Sequence, residues 1–149
     1  MNDLMDLYQE LILDHNQRPR NFRPMGDAHH KASGFNSLCG DKVEIFVRLN
    51  GDQVEEISFQ GAGCAISQAS ASLLTEMVKN RSTEEAMKLF DAFRTMVTVE
   101  QPSSQQIDLG KLNALASVRK YPMRVKCATL AWHTFKAALE GLPEPISTE

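Results

Sequence analysis

Apolar and polar side chains alternate strictly along Val43, Ile45, Val47 and Leu49, stop at Asn50-Gly51, and resume with Val54, Ile57 and Phe59. Alternation places one kind of side chain on each face of a strand, and Asn-Gly between two such runs is the strongest short-range hairpin signal. The pattern predicts an antiparallel hairpin. A further strand is expected just before it, over roughly residues 29–36. After Gly61-Ala62-Gly63 the period lengthens. Ile66, Ala69, Leu73 and Met77 follow at spacings of 3, 4 and 4, so a helix begins near Cys64 and runs to about Asn80. Ser82 with Glu85 three residues later reads as a capping box, opening a helix that carries Ala86, Leu89, Phe90 and Phe93.

The ends of the chain follow the same logic. Leu4, Leu7, Tyr8, Leu11 and Ile12 trace an amphipathic first helix that stops before Arg18-Pro19-Arg20. Polar residues and Pro102 predict a loop over 101–106, and a short helix is expected over 109–117. Tyr121-Pro122 opens a last helix, since proline is favoured at the first helical position, and Gly141 with Pro143 closes it. The reading is an α+β fold: a small antiparallel three-stranded sheet with helices packed on one face. It predicts one domain over 1–142 and a flexible C-terminal tail over 143–149.

Composition narrows the class. A chain of 149 residues buries about 68–70% of its unfolded surface, enough for a core without staples. Metal would then serve function more than folding. The first 30 residues hold Asp3, Asp6, Glu10 and Asp14 with no apolar stretch, so no secretory signal is readable. An odd cysteine count, three, argues against a disulfide framework and for a reducing, cytoplasmic setting. Net charge is -3 with scattered basic residues, which offers no footprint for nucleic acid. No apolar run reaches the roughly 18 residues of a membrane span.

The candidate chemistry lies in Cys39-Gly40-Asp41, Cys64 and Cys127. Three sulfurs and a carboxylate suit a soft-donor tetrahedral metal site, for zinc or iron rather than magnesium or calcium. The sequence order puts that site at the edge between sheet and helices. Cys39 and Asp41 precede the hairpin, Cys64 stands where unpaired helix N–H groups favour a thiolate, and Cys127 follows Arg124 and Lys126 in the last helix. The separations, 25 (64 - 39) and 63 (127 - 64), match no zinc-finger signature. On spacing alone, separate buried thiols remain an equal alternative.

Three motifs in order carry a resemblance. They are Cys39-Gly40-Asp41 before a hairpin, Gly61-Ala62-Gly63-Cys64-Ala65-Ile66-Ser67-Gln68-Ala69-Ser70, and Tyr121-Pro122-Met123-Arg124-Val125-Lys126-Cys127-Ala128-Thr129-Leu130. Together they resemble the U-type iron-sulfur cluster assembly proteins, the IscU and NifU N-terminal-like family. The likeness spans nearly the whole chain, with the Leu7-Tyr8 helix and the stretch Asp14-His15 to Arg20-Asn21. Lys126 stands where the scaffold branch, IscU, carries a histidine, and the segment between the second and third cysteines is longer. Both features resemble the SufU branch, whose members are zinc-containing sulfur acceptors. The resemblance implies Zn2+ held by Cys39, Asp41, Cys64 and Cys127, with Cys39 taking persulfide sulfur. It implies Arg124 at the interface with a SufS-type cysteine desulfurase, and downstream iron-sulfur assembly proteins as further partners. The alternative is a scaffold carrying a transient 2Fe-2S or 4Fe-4S cluster on the same ligands.

Other candidates have simpler readings. His133 is six residues past Cys127, a net rotation of about 240°, so it faces away. His29 and His30 read as surface residues, and His15 as a cation at the carbonyl end of the first helix. Gly61-Ala62-Gly63 has Ile66 where a dinucleotide fingerprint needs glycine. Ala69-Ser70-Ala71-Ser72 reads as close helix packing, and Phe90, Phe93, Trp132 and Phe135 read as core.

Overall fold

The computed structural model describes residues 3–98, 109–141 and 146–147. In chain order the elements are α1 (Asp3–Gln17), β1 (His30–Asn36), β2 (Asp41–Asn50), β3 (Gln53–Ala62), α2 (Ala65–Val78) and α3 (Thr83–Thr98). A 3-10 helix (Gly110–Lys120), α4 (Pro122–Glu140) and β4 (Ile146–Ser147) complete them. The sheet order is β3-β2-β1-β4. The first three strands pair antiparallel, as the alternation requires. β4 adds two residues parallel to β1 at Gly34 and Phe35, inside the segment expected to be a flexible tail. The loop expected over 101–106 lies outside the described residues.

The hairpin contains one irregularity that the sequence already carries. Val54 and Ile57 are both buried although three residues apart, which strict alternation forbids. The register explains it: Arg48 faces Glu56 and Leu49 faces Val54, leaving Glu55 as the extra residue of a bulge. Beyond it, Ile57 and Phe59 share the inward face with Val43, Ile45 and Val47.

Helices α2 and α4 cover that face. Gly34 lets β1 approach α4 closely, since a Cβ there would run into the Thr134 hydroxyl. Trp132 lies fully buried on α4, with its ring stacked 5.9 Å from Phe90 and 5.0 Å from Phe93. Ser70 donates to the Ala128 carbonyl at 2.5 Å, which holds α2 against α4. The stretch over 110–120 is a 3-10 helix whose buried Leu112, Leu115 and Val118 recur every third position, with Ala114 buried beside them, a spacing that eclipses on such a helix. Along the free edge of the sheet, the segment after α1 pairs with β3. Arg23 N donates to Phe59 O and Phe59 N to Asn21 O, each at 3.0 Å.

α1 docks differently from the stripe its sequence suggests. Leu7 is 61% exposed and Tyr8, Leu11 and Ile12 are half-buried, while the fully buried contact is His15. Its Nδ1 lies 2.7 Å from Ser72 Oγ and its Nε2 3.4 Å from Glu76. Burial pushes the His15 ring below its ordinary pKa. The ring is therefore neutral near pH 7, and the expected cation at the end of α1 is replaced by a core pin between α1 and α2. Among the described residues no helix is long and apolar enough to cross a membrane.

Candidate metal centre

Each ligand candidate sits where an element begins or ends. The β1–β2 turn is residues 37–40, and Asn36 shapes it. Asn36 O accepts from Cys39 N at 3.3 Å, and its side-chain Oδ1 accepts from Leu38 N at 3.2 Å, an Asx turn. Gly40 then takes φ 71°, a conformation glycine adopts at no steric cost. Cys39 thus stands in a turn rather than in the extended segment that its spacing to Asp41 suggests. Asp41 opens β2 and is 1% exposed.

Cys64 is the N-cap residue of α2, with its sulfur accepting from Ser67 N at 3.4 Å. Its own N–H donates to Asp41 Oδ1 at 2.9 Å, and its Sγ lies 4.0 Å from Asp41 Oδ2. One carboxylate oxygen therefore orients the cap and the other faces the sulfurs. Gly63 makes room, because a Cβ at that position would collide with the Asp41 carboxylate. Cys127 reaches the same place from α4 and is 2% exposed.

The structure brings these groups together. Ligand atoms of Cys39, Asp41 and Cys127 all lie within 4.8 Å of one another; Cys64 stands outside that mutual spacing, with its Sγ 4.0 Å from Asp41 Oδ2. Tetrahedral zinc with metal–sulfur bonds of about 2.3 Å and metal–oxygen bonds of about 2.0 Å sets sulfurs about 3.8 Å apart and sulfur about 3.5 Å from oxygen, so closure among these three asks for a contraction of about 1.3 Å at most. The electrostatics point the same way. Burial, followed by contacts with Asp41, Cys39 and Cys64, pushes the Cys127 thiol well above its ordinary range. A buried thiol resists ionising, and a bound divalent cation is what reverses that balance at Cys127. Three sulfurs and one carboxylate thus fit a thiophilic metal.

A cleft of about 750 Å3 opens onto the sulfurs, lined among others by Ile12, Leu13, Ser117, Met123 and Arg124. Arg124 is exposed, with its guanidinium 4.5 Å over the Tyr121 ring. Leu13 and Met123 line this opening and Leu38 precedes Cys39, all three exposed apolar residues; exposed Tyr121 lies beneath the Arg124 guanidinium. The histidines stand apart from the centre. His133 meets Phe90 edge-on at 5.1 Å, His30 Nδ1 lies 3.1 Å from Ala138 O, and His29 accepts from Leu49 N. Sequence reasoning missed Asn36 and the cleft wall from α1. An Asx-turn signal three residues before Cys39 was available for the first; nothing in the sequence marks the second.

Comparison with known proteins fixes the family. Residues 7–140 match the NifU-like N-terminal domain. The chain belongs to that family. It is 38% identical to the iron-sulfur cluster assembly scaffold protein IscU of Streptococcus pyogenes serotype M1, over 94% of this chain and 87% of that one. It is 39% identical to the zinc-dependent sulfurtransferase SufU of Bacillus subtilis, over 87% of each. A crystal structure of an iron-sulfur cluster assembly scaffold assigned to the SUF system of Fervidobacterium islandicum superposes with TM-score 0.81. It has 32% identity and covers 87% of this chain and 94% of that one. These relatives place the chain among the iron-sulfur cluster assembly proteins of IscU and SufU type.

Proposed function

We propose that this protein is a zinc-dependent sulfur acceptor that takes persulfide sulfur from a SufS-type cysteine desulfurase. Cys39, Asp41, Cys64 and Cys127 would hold the zinc, whose charge keeps the sulfurs ionised at neutral pH. The observation that carries the reading is the contrast between Cys39 and Cys127. Both reach one centre, but Cys39 is half-buried in a four-residue turn beside an open cleft, whereas Cys127 is enclosed in a helix. Cys64 is half-buried at the same cleft, but its sulfur caps α2 by accepting from Ser67 N, so Cys39 is the accessible sulfur that no helix start holds in place.

The transfer is a thiolate–disulfide type exchange. The Cys39 thiolate attacks the outer sulfur of the desulfurase persulfide, a new S–S bond forms at Cys39, and the desulfurase cysteine leaves as a thiolate. Arg124 and the exposed apolar residues around the cleft would receive the desulfurase. Downstream iron-sulfur assembly proteins would then collect the sulfur. Incubation with a desulfurase and free cysteine, followed by mass spectrometry, locates the sulfur. A Cys39→Ser variant that accepts sulfur as fast as the parent rejects the role.

The second reading is a scaffold on which a cluster is built and handed to apo-proteins, favoured by the Streptococcus relative named for that work. Lys126, in place of a further ligand such as histidine, supports the acceptor instead. Aerobic purification separates the two: a colourless protein with one zinc per chain supports the acceptor, a brown protein with visible absorption bands the scaffold.

A further inference from the structure

Asn36 ends β1, has no exposed surface, and stands directly opposite Asp41 in the strand ladder. Opposed residues carry Cβ atoms about 4.5–5.5 Å apart on one face of a sheet. That face is the inward one, because Ala32, Gly34 and Asn36 on β1 and Asp41, Val43 and Ile45 on β2 are the buried positions. The amide is half used. Oδ1 accepts from Leu38 N, while Nδ2 is buried with no hydrogen-bond partner. A buried donor left without an acceptor is costly, and such groups are rare unless something else satisfies them. The acceptors concentrated at this end of the sheet are the Asp41 carboxylate and the sulfurs.

We infer that Asn36 is a positioning residue of the centre: Oδ1 fixes the turn that presents Cys39, and Nδ2 donates to a ligand atom once the centre is ionised around its metal. The inference rests on the metal-ligand reading above. Three thiolates, one carboxylate and a divalent cation sum to -2 (-3 - 1 + 2). An N–H directed at a ligand atom offsets part of that charge without occupying a coordination position, which is how outer partners orient and tune metal ligands.

Two substitutions separate the halves of the side chain. Asn36→Asp keeps the oxygen that accepts from Leu38 N and removes the donor, whereas Asn36→Ala removes both. Zinc affinity, measured by competition with a chromophoric chelator, is expected to fall about 10–100-fold in each. Slow amide exchange at Leu38 and Cys39 is expected to persist in Asn36→Asp and to be lost in Asn36→Ala. In the parent loaded with cadmium-113, one Asn36 side-chain amide proton should move downfield and show scalar coupling to the metal across the hydrogen bond. Parental zinc affinity in Asn36→Asp, or an Asn36 amide without coupling, overturns the inference. Failure of the parent itself to bind zinc or cadmium would instead defeat the ligand assignment beneath it.

Discussion

Two helices of this protein begin with the same pair of hydrogen bonds made by different means. At α3, Ser82 Oγ accepts from Glu85 N at 3.0 Å, and Glu85 Oε1 accepts from Ser82 N at 3.3 Å. At α2, Cys64 Sγ accepts from Ser67 N at 3.4 Å, and the oxygen that accepts from Cys64 N belongs to Asp41, 23 residues earlier on β2. The α3 box is closed locally and exposed, so it serves the helix alone. The α2 start uses a weak sulfur acceptor and a carboxylate from another element. It gives up cap strength to hold two ligand candidates against each other. A helix terminus that departs from the best local solution marks where a fold serves chemistry.

The largest effects should come from breaking the α2 start. Cys64→Ser installs a better cap, so metal-free stability should hold or rise. Zinc affinity should fall more than about 100-fold, since even outer-shell partners are worth 10–100-fold. Calorimetry without metal and chelator competition with metal read the two halves. Asp41→Ala should cost about 1–3 kcal/mol in metal-free denaturant unfolding by leaving the Cys64 N–H without its acceptor. Asp41→Asn keeps an acceptor and should recover most of that loss while still binding zinc poorly. Equal metal-free stability in the two Asp41 variants would show that the carboxylate does not cap α2. Next comes Ser82→Ala, expected to cost about 0.5–2 kcal/mol with zinc affinity unchanged. Any loss of zinc there would erase the distinction between the two helix starts.

The smallest effect is a pH dependence at the middle of α2, where His15 meets Ser72. The folded ring titrates below its ordinary value of 6.5 because it is buried. The unfolded chain therefore binds that proton more tightly, and stability rises with pH across the window between the two values. The contribution is complete above about 6.5 and is lost as pH falls through the folded value. His15→Gln should flatten that acid-side slope in thermal melts of the metal-free protein, and an unchanged slope would assign it to other groups.

Most of this architecture was legible because its signals are local. The Asn50-Gly51 turn, the capping box at Ser82 and Pro122 with Gly141 around α4 each declare an element within a few residues. What escaped depends on distant partners. β4 is two residues long and exists through pairing with β1, and the 3-10 helix differs from an α-helix by a spacing of three that a short apolar pattern hardly resolves. In α1 the apolar stripe overstated burial, because Leu7 remains exposed and Tyr8, Leu11 and Ile12 are only half-buried. The centre divides the same way. Cys39 and Asp41 stood out as neighbours in sequence, but the tie from Asp41 to Cys64 spans a strand pair, and Asn36 was hidden in the strand before the turn.

Gly34 against Thr134 limits how far Cys39 can travel. With β1 pressed onto α4 at that glycine, and Asp41 fixed to the start of α2, both ends of the Cys39 loop are clamped. Any swing toward a visiting enzyme must come from residues 37–40 alone. Four residues with Gly40 at φ 71° allow an arc of only a few ångströms, so under the proposed acceptor role a desulfurase would have to bring its sulfur nearly to the rim. Lengthening this loop by a single residue should widen that arc, and under the proposed role it should let Cys39 react with a small-molecule persulfide or trisulfide faster than the parent does.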